Sequence, residues 1–403
     1  VLLIGAGGRE HALAWKLAQS PRIDELHAAP GNPGIAKLGE CHPVRAEDGE
    51  GLLDLAHGLR VGLVVVGPEA PLVAGVADDL RHAGVSVFGP SKEAARIEGS
   101  KSFAKEVMRS AGVPTAETMS VARPPCVLKV DGLAGGKGVF VCPDQESLDA
   151  ALRHVARLDQ PLLIEELLEG DELSVFALAD GHHVLPLAPA RDFKRLDEHD
   201  RGPNTGGMGS YSPVAEFDSG AVEDLLEAVH RPVVAELANR GSPFVGLLYA
   251  GLILTDAGPK VLEFNCRFGD PETQSILPRV QGDLLEALAS AASGGLSTQA
   301  LETGEEAAVT VVLAGHEYPE QPDSGTPIEG IEAAEAAGAL VFHAGTAMRQ
   351  GQLMTNGGRV LNVTALAPSL DEARQRAYAA CDKIAFAGMR FRRDIAARAV
   401  NVA

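Results

Sequence analysis

The sequence predicts an α/β protein of three successive units, a parallel α/β layer followed by two mixed α+β units. Three observations carry this expectation. At 403 residues the chain exceeds what one hydrophobic core usually serves, so two to four domains follow from surface-to-volume scaling. The first hundred residues alternate short apolar runs with helical patterns, which reads as a parallel layer. From Ser100 onward strands come in pairs joined by turn signals, which reads as antiparallel pairing.

Val1 to Ile4 is the first predicted strand, and a glycine turn leads into a helix from Glu10 to Gln19. Leu63 to Val66 and Val85 to Phe88 are later strands, each ending in Gly-Pro, so their loops share the sheet edge where open α/β sheets bind ligands. In the second unit, Asp180 and Gly181 predict a hairpin between Leu173 to Leu178 and His183 to Leu187. Leu148, Leu152 and Val155 mark one helix, and Val222, Leu225, Leu226 and Val229 another that Pro232 should kink or end. The third unit opens near Gly304, after a Gly/Ser-bearing stretch, Ser293 to Thr303, that reads as a linker. It holds a strand from Ala308 to Leu313, a hairpin through Asn356 and Gly357 into Val360 to Ala365, and a helix from Leu370 to about Ile384.

A net charge of −20 and a pI near 5.0 oppose the long-range attraction that nucleic-acid or membrane-surface binding needs. A phosphate-bearing substrate must then be held by local groups. Cys41, Cys126, Cys142, Cys266 and Cys381 are odd in number without close pairs, so neither a disulfide framework nor a CxxC metal site is expected, and reducing cytoplasm is the natural compartment. No charged-then-apolar leader and no apolar run near ~18 residues occurs, which predicts neither signal peptide nor membrane span.

Two glycine-rich loops follow predicted strands. VLLIGAGGREH matches a dinucleotide fingerprint only in part: the third glycine position is Glu10, and no acidic residue closes the next strand, Ala28 to Pro30. A nicotinamide enzyme is therefore disfavoured, whereas a phosphate at the helix start and a plain strand-to-helix turn both remain open. DGLAGGKG, Asp131 to Gly138, is no Walker loop, because Asp131 replaces the first glycine and Gly138 the hydroxyl residue after Lys137. Four glycines and a lysine in eight residues suit a lid over nucleotide phosphates better than a surface hairpin. Lys129, on the strand face of Val127, joins Lys101 and Lys137 in a candidate triphosphate clamp.

In VLEFNCRF, alternation puts Val261, Glu263 and Asn265 on one face and Leu262 and Phe264 on the other. A carboxylate and an amide oxygen side by side suit magnesium, which also takes oxygens from ATP phosphates. Arg267 continues that face and can stabilise a transferring phosphoryl group. Asp270 and Glu272 crowd the same end. Glu165, Glu166, Leu168 and Glu172 follow an apolar strand as a hinge that can hydrogen-bond adenine along its backbone while a carboxylate holds ribose.

Taken in order, SKSF, LKVDGLAGGKGV, IEELLEGDE and LEFNCRFGDPE resemble the ATP-grasp superfamily. GAGGREHALAWK, VGPEAPLV, GPNTGGMGSYSP, YAGL, RFGDPE and NGGRVLNVTAL narrow the resemblance to the glycinamide ribonucleotide synthetases, over essentially the whole chain. The resemblance implies an amino-terminal α/β domain at 1–99, an ATP-grasp core of two α+β subdomains at 100–302 with the flap-bearing one at about 117–177, and a small carboxy-terminal α+β domain at 303–403. It implies ATP as cosubstrate, Mg2+ or Mn2+ at Glu263 and Asn265, and ligation of glycine to 5-phosphoribosylamine in purine biosynthesis. It admits transient contact with neighbouring purine-pathway enzymes and calls for neither nucleic acid nor membrane.

By match to the pattern, Lys101, Lys129, Asp131, Gly132, Gly135, Gly136, Lys137 and Gly138 form the phosphate clamp and flap. Glu165 and Leu168 flank adenine, Glu166 belongs to the same ATP site, Glu172 holds ribose, and Lys129 and Arg267 serve catalysis. Gly7, Gly8, Arg9, Glu10, Pro68, Glu69, Asp192, Lys194, Asn204, Thr205, Gly206, Gly207, Met208 and Asp270 form the surfaces for phosphoribosylamine and glycine. Three departures stand out. The stretch from Met119 to Cys126 is shorter than the family's usual one, which predicts a missing or replaced helix in the small subdomain. Phe193 replaces a more polar ring, and Tyr249 to Leu254 carries no acid, so Glu263 bears most of the metal charge. Another carboxylate–amine ligase of the superfamily shares this ATP site. A non-catalytic nucleotide sensor would need neither Arg267 nor the 204–209 loop.

Overall fold

The computed structural model describes residues 1–133, 138–158 and 160–400. Its first unit runs β1 (Leu2–Gly5), α1 (Gly8–Leu17), β2 (His27–Pro30), β3 (Glu40–Cys41), α2 (Gly49–Leu59), β4 (Val64–Val66), α3 (Glu69–Ala74), α4 (Val76–His82) and β5 (Val87–Phe88). These strands form one parallel sheet in the order β3-β2-β1-β4-β5. Leu3, Val65 and Phe88 pack with Leu13 and Leu17 on one face, and Leu2, Ile4, Val64 and Val66 pack with Leu52 and Leu80 on the other. Burial on both faces is why these strands read as unbroken apolar runs. The order reverses between β1 and β4, so the ligand crevice of such a sheet falls where Gly5 and Gly67 end those strands.

Two helices, α5 (Lys92–Gly99) and α6 (Lys101–Ala111), lead out of this layer, each with a serine side chain capping its first turn, Ser91 and Ser100. A three-stranded antiparallel sheet follows, β6 (Cys126–Val130) between β7 (Val139–Cys142) and, across α7 (Gln145–Val155), β8 (Leu162–Glu166). Among the described residues no helix stands between α6 and α7, as the shortened 119–126 stretch predicts.

The larger sheet is antiparallel in the order β10-β9-β15-β16, from β9 (Asp171–Asp180), β10 (Val184–Pro186) and, later, β15 (Val245–Thr255) and β16 (Gly258–Asn265). The hairpin at Asp180 and Gly181 forms as expected. Between β10 and β15 lie β11 (Arg191–Asp192), β12 (Arg195–Asp197), β13 (Arg201–Asn204), β14 (Gly209–Ser212), α8 (Ser219–Leu225) and α9 (Arg231–Asn239). Pro232 does not end that helical run. A π turn over Leu226–His230 shifts the hydrogen-bond register first, and Pro232 falls at the start of α9, where a missing amide costs least.

After β16 come α10 (Glu272–Ile276), β17 (Val280–Gln281), α11 (Leu284–Ala292) and β18 (Glu302–Thr303). The expected linker is tied down: β18 pairs with β17, and Leu296 is buried. The remainder is β19 (Ala307–Ala314), β20 (Asp323–Pro327), α12 (Ile331–Ala336), β21 (Leu340–His343), β22 (Thr346–Arg349), β23 (Gln352–Gly357), β24 (Arg359–Ala367), α13 (Leu370–Cys381) and α14 (Ala397–Val400). The hairpin expected through Asn356 and Gly357 does not form. Instead β23 pairs with β20 and β22, while β24 crosses into the sheet β11-β14-β19-β24-β21. That sheet thus joins the last hundred residues to two short strands near the candidate site. Among the described residues no helix is long and apolar enough to cross a membrane.

Candidate active site

Alternation along β6 turns Cys126 and Leu128 into a small core with Cys142, Leu148 and Ala151, and turns Lys129 to the opposite face. Lys129 is nonetheless buried. Its Nζ lies 2.7 Å from the Glu165 carboxylate and donates to the Leu262 carbonyl at 2.8 Å. Glu165, expected beside adenine, is itself buried between two ammoniums, because Lys105 Nζ approaches its other oxygen at 2.8 Å. Lys105 also donates to Thr115 Oγ1 and the Ala116 carbonyl. Sequence reasoning missed it, since a lone lysine inside α6 carries no motif.

Lys101 opens α6 and donates its Nζ to the Gly132 carbonyl at 3.0 Å. Burial lowers its pKa, against the pull of Glu263 and Asp131. Asp131 accepts from the Lys101 amide at 2.6 Å and from the amides of Ser102 and Gly132. Partial burial disfavours its charge, yet these bonds hold its carboxyl below the ordinary range. Asp131 therefore anchors the root of the glycine loop to the start of α6. Gly138, at the far root, gives its carbonyl to the Val130 amide at 2.8 Å. Gly135, Gly136 and Lys137 lie outside the described residues.

The acidic strand departs from simple alternation. In the β15–β16 ladder Gly251 faces Glu263 and Leu252 faces Val261, so Leu262 is an extra, bulged residue. The bulge returns Val261 to the core face with Phe264 and leaves Glu263 and Asn265 together on the other. Val261 was expected beside Glu263; the inserted residue reverses its face. The bulged carbonyl of Leu262 is the one that Lys129 takes.

Glu263 lies 4.0 Å from Lys194 Nζ. Burial raises its pKa, but Lys194, Lys129, Lys101 and Arg267 outweigh that and keep it below the ordinary carboxylate value. An ionised carboxylate beside an amide oxygen fits a hard divalent ion. Two protein donors leave most of such an ion's coordination open, so the donor set fits an ion that also takes oxygens from a polyphosphate.

Arg267 leaves the end of β16 toward the first unit. Its guanidinium makes ion pairs of 3.0 Å with Glu69 and with Glu98. Burial opposes its charge, while Glu98 and Glu69 raise its pKa. Glu69, one residue past Pro68 at the start of α3, is partly desolvated, yet Arg267 and Arg9 bring its pKa down to about 2. Glu98 is a second residue that the sequence reading missed; its carboxylate also accepts the Cys266 amide.

Gly8 opens α1, and at the third helical position Glu10 replaces the usual glycine for a visible reason. Its carboxylate takes the Gly7 amide at 2.6 Å and pairs with buried Arg9, which also donates to the Phe268 carbonyl. Gly5, at φ +124°, and Gly67 leave the room: a Cβ on Gly5 would stand 2.6 Å from Glu10 Cγ, and one on Gly67 2.3 Å from Glu10 Oε1. A carboxylate of the chain thus fills the helix-start position that a dinucleotide pyrophosphate would take.

On the other side, Asp192 and Lys194 meet the 204–209 loop. Thr205 bonds the Lys194 carbonyl through both its amide and its hydroxyl, and the Met208 amide donates to the Phe193 carbonyl. Met208 itself is buried with Leu196 and Ala314. Asn204 pairs across the ladder with Arg195. Lys194 Nζ is 2.6 Å from Glu172, expected at ribose, and although burial disfavours its charge, Glu172 and the nearby Asp192 hold its proton firmly. Asp192 is pushed up to about 8 by burial and by Glu272, Glu172 and Glu263, against the pull of Lys194. Phe193 packs its ring beside Tyr211 and under the Arg392 guanidinium.

Along the hinge, Glu166 accepts the Glu117 amide and Lys260 Nζ, and Leu168 is half-buried. Asp270 pairs with Arg359 at 3.0 Å, and Arg359 also donates to the carbonyls of Gly206, Gly207 and Asp270. Tyr318 OH accepts the Gly206 amide. Arg359 lies in the NGGRVLNVTAL segment, so its motif was visible before its role was.

Known proteins show the same order of parts. Models described as the phosphoribosylglycinamide synthetase N domain, ATP-grasp (A) domain and C domain match residues 1–98, 99–273 and 308–398. The chain belongs to the phosphoribosylglycinamide synthetase family. A Streptomyces coelicolor phosphoribosylamine–glycine ligase is 51% identical, covering 100% of this chain and 99% of the relative. One from Caldanaerobacter subterraneus is 44% identical over 98% of this chain and 99% of its own length. The crystal structure of the Thermotoga maritima phosphoribosylamine–glycine ligase superposes with a TM-score of 0.83 at 35% identity, covering 98% of this chain and 99% of that one. The biotin carboxylase domain of Hydrogenobacter thermophilus 2-oxoglutarate carboxylase shares the fold, with a TM-score of 0.70 at 18% identity over 96% and 91%. In this synthetase family the chain's α/β class is that of an ATP-grasp core between two further α/β units.

Proposed function

We propose that this chain ligates glycine to 5-phosphoribosylamine at the expense of ATP, giving glycinamide ribonucleotide, ADP and phosphate in de novo purine biosynthesis. The observation that carries the reading is the convergence of Lys129, Lys101, Lys194 and Arg267 around the ionised Glu263. Glu165, Glu172, Glu69 and Glu98 hold Lys129, Lys194 and Arg267 in place, and a polyphosphate with a divalent ion fits a site that offers both cations and an ionised carboxylate. A carboxylate is a poor acylating agent because oxide is a bad leaving group. A glycine carboxylate oxygen attacks the γ-phosphorus, ADP leaves, and glycyl phosphate results. The amine of phosphoribosylamine then attacks the acyl carbon and phosphate departs.

Glu263 and Asn265 are the residues to hold the ion, Mg2+ or Mn2+, which when bound neutralises phosphate charge. Lys129 and Lys101 orient the phosphates, and Arg267 screens charge on the phosphoryl group in transfer. The hinge from Glu165 to Glu172 takes adenine and ribose. The loops at Gly7 to Glu10, Pro68 to Glu69, Asp192 to Lys194, Asn204 to Met208 and Asp270 take the two other substrates. The division into 1–99, 100–302 and 303–403 belongs to the same reading. So does a cytoplasmic location, which the five unpaired cysteines favour.

Glycine labelled with heavy oxygen in its carboxylate tests the route. One labelled oxygen should appear in inorganic phosphate per product formed. Label kept wholly in product, or AMP and pyrophosphate as products, sinks the mechanism. ADP release that persists with glycine or phosphoribosylamine omitted and another acid or amine supplied would favour a different carboxylate–amine ligation at the same ATP site.

A further inference from the structure

We propose that His27, His42 and Glu40 form a site for a late first-row divalent cation, best suited to zinc, on the amino-terminal sheet. The register places it there. His27 stands directly opposite Glu40 in the parallel β2–β3 pair, and Glu40 and His42, two residues apart, share a face. Their three ligand atoms lie within 4.8 Å of one another. His27 opens β2, at the edge of the sheet opposite the strand ends that carry Gly5 and Gly67. The site is therefore separate from the ATP-grasp machinery.

His27 and His42 share a hydrogen bond here, and two features let the same nitrogens take a metal in its place. The first is spacing. His27 Nδ1 and His42 Nε2 are 3.1 Å apart, and two imidazole nitrogens at ~2.0–2.1 Å from a tetrahedral zinc stand roughly 3.3 Å apart. Glu40 Oε2 is 3.9 Å from His27 Nδ1 on a side chain that is 70% exposed, so a small rotation brings it to the same ion. The second is the outer partner. Glu25 Oε2 lies 3.3 Å from His27 Nε2, and a carboxylate accepts, so that nitrogen carries the ring proton and Nδ1 presents its lone pair inward. A carboxylate behind a histidine ligand is the usual way to fix its tautomer and raise its basicity. His42 meets the ion through Nε2 by moving its proton to Nδ1. Three protein ligands leave a fourth corner for water. Neutral imidazoles favour zinc, copper or nickel over magnesium, so this site does not compete for the ion that serves ATP. Its structural consequence is to clamp the two-residue edge strand β3 onto β2.

Untagged full-length protein, stripped with chelator, is titrated with Zn2+ by calorimetry and with Co2+ by visible absorption. Expected are one zinc ion bound at sub-micromolar Kd, an intense tetrahedral cobalt spectrum, and a metal-dependent rise in Tm. His42→Ala should weaken binding ~100-fold or more and abolish the Tm rise, and Glu40→Gln should weaken it ~10-fold. Glu263→Gln should leave zinc binding unchanged. Tm in chelator, equal for wild type and His42→Ala, shows that the variant folds; if it does not, Glu40→Gln alone decides. Absence of binding, binding unaffected by these variants, or a weak octahedral cobalt spectrum overturns the proposal.

Discussion

Charge at single residues sets what each can do, and Glu165 and Glu263 illustrate opposite uses of the same side chain. Glu165 is sealed between Lys105 and Lys129, so removing its charge strands two buried ammoniums. Breaking such a pair costs ~3–5 kcal/mol. Glu165→Gln should therefore lower Tm by several degrees and raise KM for ATP, and an unchanged melting curve would contradict the buried triad. Glu263 faces the open side of the site. Glu263→Gln should keep Tm within about a degree and lose most turnover even at saturating magnesium, because an amide binds a hard cation far less well. Near-normal turnover would remove it from the metal site. Arg267 is tied to Glu69 and Glu98. Arg267→Lys, which keeps the charge, should cost ~10²-fold in kcat if the fork geometry serves the phosphoryl group. A change confined to Tm would make Arg267 a structural tie between the first unit and β16.

Elements aim these side chains, and local irregularities do much of the aiming. The bulge at Leu262 breaks the β15–β16 ladder, and its unpaired carbonyl becomes the seat of Lys129. Deleting Leu262 restores a regular ladder with Glu263 and Asn265 still on the site face. The variant should fold, yet Lys129 loses a charge-assisted hydrogen bond of ~1.5–3 kcal/mol, a factor of roughly 10 or more in ATP affinity. Unchanged nucleotide affinity by calorimetry would count against the link between bulge and lysine. The bulge breaks strict alternation only at the adjacent apolar pair Val261-Leu262, and the partner strand is needed to show which residue is the inserted one. The sequence also did not show that Pro232 would be preceded by a π turn, since i→i+5 bonding has no residue signature. Asn356-Gly357 is a strong hairpin signal, but pairing is decided by which strands are within reach, and β24 finds β19 and β21 instead.

At the scale of the whole molecule, the first and last units meet across buried histidines. His11 in α1 accepts the His343 amide at 2.8 Å. Burial lowers His11 to about 3 and His343 to about 4, and His230 behind the larger sheet likewise to about 4. All three fold as neutral rings, so the unfolded chain binds their protons first. Stability is then fully present above the unfolded value of about 6.5 and falls as pH drops toward 4, by up to ~1.4 kcal/mol per pH unit for each ring. Asp192, protonated in the fold, opposes about one ring over this range, so the urea midpoint should show a net fall between pH 6.5 and 5; a flat or rising midpoint there would refute three buried neutral histidines. The sequence by itself determined what depends on local pattern: the parallel first layer, the paired strands after Ser100, the glycine loop behind Lys129, and the Glu263–Asn265 pair, whose types and spacing are chemical signatures. The tertiary structure alone decided what depends on approach in space. It chose that Lys105 shares Glu165, that Glu98 and Glu69 grip Arg267, that Arg359 reaches Asp270, and that β11 and β14 complete the last sheet. Such contacts join residues tens to hundreds of positions apart, and a buried charge reveals itself only by the partner that makes its burial tolerable.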